Sequence, residues 1–316
     1  MLGRVPEPAS LPGSQLASGD EPSAPFFYLV MQAGGALSPL LVVPIQMRYG
    51  WRASFYVFAL LGVVWAVVWF LWFRDTPREK RGVTPSQLDE IGGAASRPER
   101  GFPWGVAVRS GNFWTILFMG LTFGYGTYFF IAWLHTYLVR ARNFSERDLL
   151  LSTLPFIFGA CANVGSGVTS DVLLKRLGLR TARCRVGIVG LGSAGLFALL
   201  AAFTPSKIGT LLLLSLCYGG LCFNAPMQFT ICLDVATRSP GSMCGAMNTP
   251  TQVGSFLLGV VFGYVAKISG SYDLPLIFMA LVLGFGALLW FKIDPEQELV
   301  PGDKPETDKA LSAAHN

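Results

Sequence analysis

Long apolar runs alternate along this chain with short polar connections. A helix needs about 20 mainly apolar residues to cross a bilayer. Eight stretches meet that requirement: residues 26–46, 53–73, 112–139, 149–173, 184–204, 207–235, 243–267 and 274–292. Unbroken runs of this length predict helices, because barrel strands alternate lipid-facing and lumen-facing residues. The expected fold class is therefore all-α, a polytopic helical membrane protein. Residues 1–25 are rich in Pro, Ser and Gly, lack the apolar core of a signal peptide and read as a disordered tail. Residues 26–73 hold two spans, and 74–110 form the long polar connection, in which TPSQLDEI reads as a short surface helix. Residues 111–292 are expected to form a six-helix bundle, and 293–316 a polar, mobile tail.

Composition agrees with a membrane assignment. The 316 residues are 52% hydrophobic and only 14% charged, against about 25% charged in an average soluble domain. Of the 24 Lys and Arg residues, 17 fall in the N-terminal tail, the C-terminal tail and every second connection. The positive-inside rule then places both termini in the cytoplasm. The six cysteines show no CxxC, and the two histidines, His135 and His315, have no ligand-like spacing. Buried, inert thiols are the expectation, with no metal and no cofactor. HExxH, GxSxG and GxxxxGK[ST] are absent from the sequence, so nothing nominates an enzyme. A net charge of +5 is modest, and no nucleic-acid partner is expected; the chain is read as a monomer in a lipid bilayer.

Sliding residues 31–73 onto 251–293 matches Gln32 with Gln252, Gly34 with Gly254 and Leu37 with Leu257. It also matches Gly50 with Gly270, Phe58 with Phe278 and Leu61 with Leu281. Both copies consist of a span, a Gly-containing turn, an aromatic-rich span and a charged exit. Parallel repeats with a site at their interface are a transporter design. At this offset, the counterparts of the third to sixth spans would precede residue 1.

Specific stretches carry a family resemblance. GGALSPLLVVPIQMRYGWRASFYVFALLGVVWAVVWFLWFRDTP, followed by GVTPSQLDEI, resembles the fifth and sixth helices and central loop of the anion:cation symporter family, within the major facilitator superfamily. YFFIAWLHTYLVRARNFS resembles that family's seventh helix and outer loop. GSGVTSDVLLKR is similar to the superfamily's loop signature through Gly167, Asp171, Lys175 and Arg176. DVATRSPGSMCGAMNTPTQVGS resembles the loop and start of the eleventh helix. The resemblance implies a secondary transporter of twelve helices, two six-helix halves rocking about a central cavity. It implies as substrate a small organic anion such as a sugar acid or other carboxylate, with a proton or other cation as co-substrate, in a bacterial inner membrane. The eight spans would correspond to helices 5–12, an N-terminally truncated form. A non-transporting remnant or membrane scaffold lacking the coupling helices is the alternative.

Against that background, polar side chains inside the spans become candidate cavity residues. Asn248, Thr251, Gln252 and Ser255 recur at i, i+3, i+4 and i+7, one helical face. Such a stripe faces protein or water rather than lipid, as interhelical hydrogen-bonding glue or as a cavity wall. The resemblance favours Asn248 as a substrate contact. Gln32 is the repeat partner of Gln252, and Tyr28 that of Asn248. Asn163, Asn224 and Gln228 are further mid-membrane amides, open to packing or cavity roles. Tyr125, Tyr128 and Trp133 resemble the family's aromatic cavity wall. Asp171, with Lys175 and Arg176, is expected to act as a gate, accepting from a helix N-terminus and pairing with Arg. Arg48 and Arg52 are expected to anchor to headgroups. No span carries Asp, Glu, Lys or Arg near its middle.

Overall fold

The computed structural model describes residues 34, 41–42, 44–73, 102–145, 151–237, 239–297 and 299. Two compact units emerge: Ala33–Phe102, and Pro103–Asn316 together with Met1–Gln32. Among the described residues every regular element is helical. The expected span at 26–46 and the TPSQLDEI helix lie largely or wholly outside the described residues.

In the first unit, α1 runs Trp51–Trp72, and Ser54 is its sole buried residue. A helix that is apolar all round suits a lipid environment. Aromatic side chains ladder along it at helical spacing, with Trp65 5.8 Å from Trp69 and Trp69 stacked 4.5 Å from Phe73.

The second unit is a bundle. After a single turn at Trp104–Ala107 come α2 Gly111–Ala132 and α3 Leu134–Arg142, then α4 Leu154–Leu177 and α5 Leu179–Phe203. They are followed by α6 Lys207–Val235, α7 Pro240–Ser269 and α8 Asp273–Leu289. Among the described residues, six helices are long and apolar enough to span a membrane. At 17 residues, α8 is shorter, about 26 Å at 1.5 Å per residue, and the turn at Trp290–Lys292 extends it. The span expected at 112–139 breaks at Trp133 into α2 and α3. Asn143 ends α3 at φ 52°, a left-handed cap that Asn tolerates better than most residues.

Short connections make consecutive helices antiparallel neighbours. The most enclosed is α6, which packs on α4 and α5, while α7 packs along α2 and α8 bridges α2 to α5. Close approach depends on small residues. A Cβ on Gly124 would strike the Thr251 carbonyl, and one on Gly254 would strike the Leu121 carbonyl. In the α5–α6 seam, a Cβ on Gly220 would stand 2.7 Å from the Gly190 carbonyl. Without a hydrophobic drive between helices in lipid, such backbone-to-backbone contact supplies the dispersion that holds them together.

The tail expected to be mobile from residue 293 begins instead as part of the bundle. Trp290, Ile293 and Leu299 are buried. Asn112 and Asp294 exchange two hydrogen bonds, Asn112 Nδ2 to the Asp294 carbonyl at 2.7 Å and Asp294 N–H to Asn112 Oδ1 at 3.0 Å. Leu299 N–H donates to the Val235 carbonyl at 3.1 Å. Two apolar side chains and an amide waiting at the start of α2 are enough to hold this stretch against the bundle.

Candidate functional site

The polar stripe of α7 divides when the helix is set against its neighbours. Thr251 and Ser255 turn toward α2. The Thr251 hydroxyl donates to the Met247 carbonyl at 2.9 Å, and the Ser255 hydroxyl to the carbonyls of Thr251 at 3.1 Å and Gly124 at 3.2 Å. Both hydroxyls are therefore satisfied within the α2–α7 seam, where an interhelical hydrogen bond is worth about 0.6 kcal/mol. Asn248 and Gln252, one turn apart, remain exposed on the flank of the same helix. Neither amide has a hydrogen-bond partner among the described residues, so both are open polar groups of α7.

The other amides lie elsewhere. Asn163 on α4 and Asn224 and Gln228 on α6 are buried inside the bundle. Gln228 Nε2 approaches Met119 Sδ at 3.1 Å. Asn224 places its Cβ against Gly190 of α5, and its side-chain oxygen and nitrogen, like Asn163 Oδ1, have no hydrogen-bond partner among the described residues. An unpaired buried polar group costs about 1–3 kcal/mol, so these amides are positions where a water or a solute group would be stabilised. They form a set separate from Asn248 and Gln252. Tyr28 and Gln32 lie outside the described residues.

Aromatic candidates line the α2–α7 contact. Tyr128 is half-buried with its ring over Gly259, and Trp133 packs over Gly263 and 4.9 Å from Phe262. Tyr125 is buried, and its hydroxyl is unpaired among the described residues. Arg48 and Arg52 are exposed and lie over the rings of Tyr49 and Trp51 at 5.6 and 4.9 Å.

The loop signature takes a different form from the one expected. Gly167 is half-buried within α4, and Asp171, Lys175 and Arg176 are exposed near its end. Asp171 forms no ion pair among the described residues. The tie between helices at this end is made by its neighbour: Ser170 accepts from Arg183 Nη1 at 2.6 Å, and Arg183 Nε pairs with Asp234 at 3.2 Å. This joins α4, α5 and α6 through two largely buried charges. At the opposite end, Arg142 grips Asp273 through both Nη atoms at 2.9 and 3.3 Å. Tyr137 donates to the same carboxylate at 2.8 Å. Sequence reading missed both pairs. Arg183 carried a signal, a cation in the first turns of an apolar helix, but its partner is 51 positions away.

The cysteines are less uniformly buried than expected. Cys217, Cys222 and Cys232 are enclosed, Cys184 and Cys244 are half-exposed and Cys161 is exposed.

Comparison with known proteins follows the same outline. The Major Facilitator Superfamily model matches residues 26–258. The chain is 33% identical over 288 residues to the Cupriavidus necator protein named "Probable sulfoacetate transporter", covering 89% of this chain and 66% of that one. It is 25% identical to the hexuronate transporter of Bacillus subtilis, over 76% of this chain and 58% of the relative. It is 24% identical to the "Probable L-galactonate transporter" of Escherichia coli, over 84% and 60% respectively. The chain thus spans somewhat less than two thirds of each of these relatives. Its long apolar helices are those of a multi-pass membrane protein, and the chain belongs to the Major Facilitator Superfamily.

Proposed function

We propose that the chain serves secondary active transport of a small organic anion, a sugar acid or related carboxylate, by rocker-switch alternating access. The observation that carries this reading is the exposed pair Asn248 and Gln252 on α7. Their amide N–H groups can donate to a carboxylate or hydroxyl solute, and packing leaves them uncommitted. The relatives support the substrate class, since those named for sulfoacetate, hexuronate and L-galactonate all refer to solutes bearing a carboxylate. Proton coupling belongs to the proposal as well. In the described spans, the acidic residues Asp171, Asp234 and Asp273 all stand near helix ends, which supports a coupling group outside them. A bacterial inner membrane completes the reading, in keeping with the bacterial relatives, and the Lys and Arg asymmetry supports cytoplasmic termini.

The test is uptake of labelled hexuronate, aldonate and sulfoacetate by cells expressing the protein, with and without an uncoupler. Asn248→Ala and Gln252→Ala should each reduce uptake about tenfold, the loss of one good hydrogen-bonded contact, with protein levels unchanged. Full uptake in both variants would rule out these amides as substrate contacts. Uptake indifferent to the uncoupler would rule out proton coupling.

A further inference from the structure

Residues 236–239 join α6 to α7, so the last turns of one helix lie beside the first turns of the other. This brings together three sulfur atoms from residues separated in sequence. Cys232 Sγ lies 3.5 Å from Met247 Sδ and donates to the Gln228 carbonyl at 3.3 Å. The thiols of Cys232 and Cys244 interact across the join between α6 and α7. Cys244 and Met247 are three residues apart on α7, one face of the helix. Cys232 and Met247 are buried, whereas Cys244 is half-exposed and opens the cluster to the surface.

We propose that Cys232, Cys244 and Met247 form a binding site for a soft monovalent metal ion of the copper(I) or silver(I) class. Thiolate and thioether donors select such ions, whereas hard cations require oxygen. The nearest carboxylate in sequence, Asp234, is already engaged by Arg183. Three metal–sulfur bonds of about 2.3 Å in a trigonal plane need sulfurs about 4 Å apart. The Cys232–Met247 contact must therefore open by a few tenths of an ångström, which an unbranched methionine permits. The metal ion replaces the protons on Cys232 Sγ and Cys244 Sγ, forming two metal–thiolate bonds and releasing two protons, while the Met247 thioether donates as a neutral group. The bound site carries one net negative charge, which the half-exposed side of Cys244 leaves partly solvated. The site does not depend on the transport reading.

The experiment is a competition titration of the purified, reduced full chain with copper(I) held by bicinchoninate. Cys161→Ser and Cys184→Ser are introduced together to remove the other accessible thiols. That background should retain one copper(I) per chain. Adding Cys244→Ser should abolish this equivalent, and adding the near-isosteric Met247→Leu should weaken it at least tenfold, each with an unchanged size-exclusion profile. X-ray absorption should show three sulfurs about the metal. Absence of a tight equivalent in the background chain, its survival in either added variant, or a shell of fewer than three sulfurs would overturn the site.

Discussion

Arg142 donates to the Thr210 hydroxyl, to both Asp273 carboxylate oxygens and to the carbonyls of Ala141, Ala201 and Ala202. Only a planar guanidinium reaches these acceptors at once, and an ammonium offers no equivalent fork. Arg142→Lys should therefore cost about 3 kcal/mol, the usual scale for a broken buried pair. The check is the unfolding temperature in detergent. Asp273→Asn should cost less, because Asp273 keeps 35% of its side chain exposed. The divided stripe of α7 gives a second contrast. Ser255→Ala removes an interhelical bond and should lower stability by about 0.6 kcal/mol. Asn248→Ala should leave stability within about 0.5 kcal/mol while lowering uptake. Equal effects of the two on stability would contradict the division. The stripe itself was legible from spacing. Which of its members pack was not, because that depends on the rotation of α7 against α2.

Between elements, glycine placement decides how near α2 and α7 come. Gly124→Ala puts a methyl group onto the Thr251 carbonyl and should cost about 1–3 kcal/mol through overpacking. Gly62 on α1 has nothing within 4 Å of an added Cβ. Gly62→Ala should therefore be neutral or stabilising by roughly 0.5 kcal/mol, the helix-propensity gain alone. Comparing the two unfolding temperatures tests the seam, and an unperturbed Gly124→Ala chain would contradict it. The existence of α2 could be read from its apolar run, but its end could not. The run continues past Trp133, while the backbone breaks there and resumes as α3, anchored by Tyr137 and Arg142 to Asp273.

For the whole molecule, the stretch after α8 ties together ends that are distant in sequence. Asn112→Ala removes both hydrogen bonds to Asp294 and should lower the unfolding temperature, whereas substitutions at exposed Lys175 should not. An unchanged temperature for Asn112→Ala would show that Ile293 and Leu299 alone hold the segment. The proposed orientation is tested at this scale too. A fluorescent protein fused after Asn316 should fluoresce and a phosphatase fused there should be inactive; the reverse pattern would invert the topology. Residues 293–297 and 299 pack against the bundle although the polar composition of the segment reads as a mobile tail. Composition averages over the three or four side chains that actually bury themselves.

From sequence alone came the membrane class, the positions of the helices and the family resemblance, since each rests on information local to the chain. Bilayer thickness sets a length of apolar run, and motifs are contiguous. Tertiary structure decided which polar groups remain open, which charges pair and which sulfurs meet. Ser255 reaches Gly124 and Arg142 reaches Asp273, each across 131 positions. Such contacts depend on the rotation and spacing of neighbouring helices, which residue periodicity within one helix does not specify.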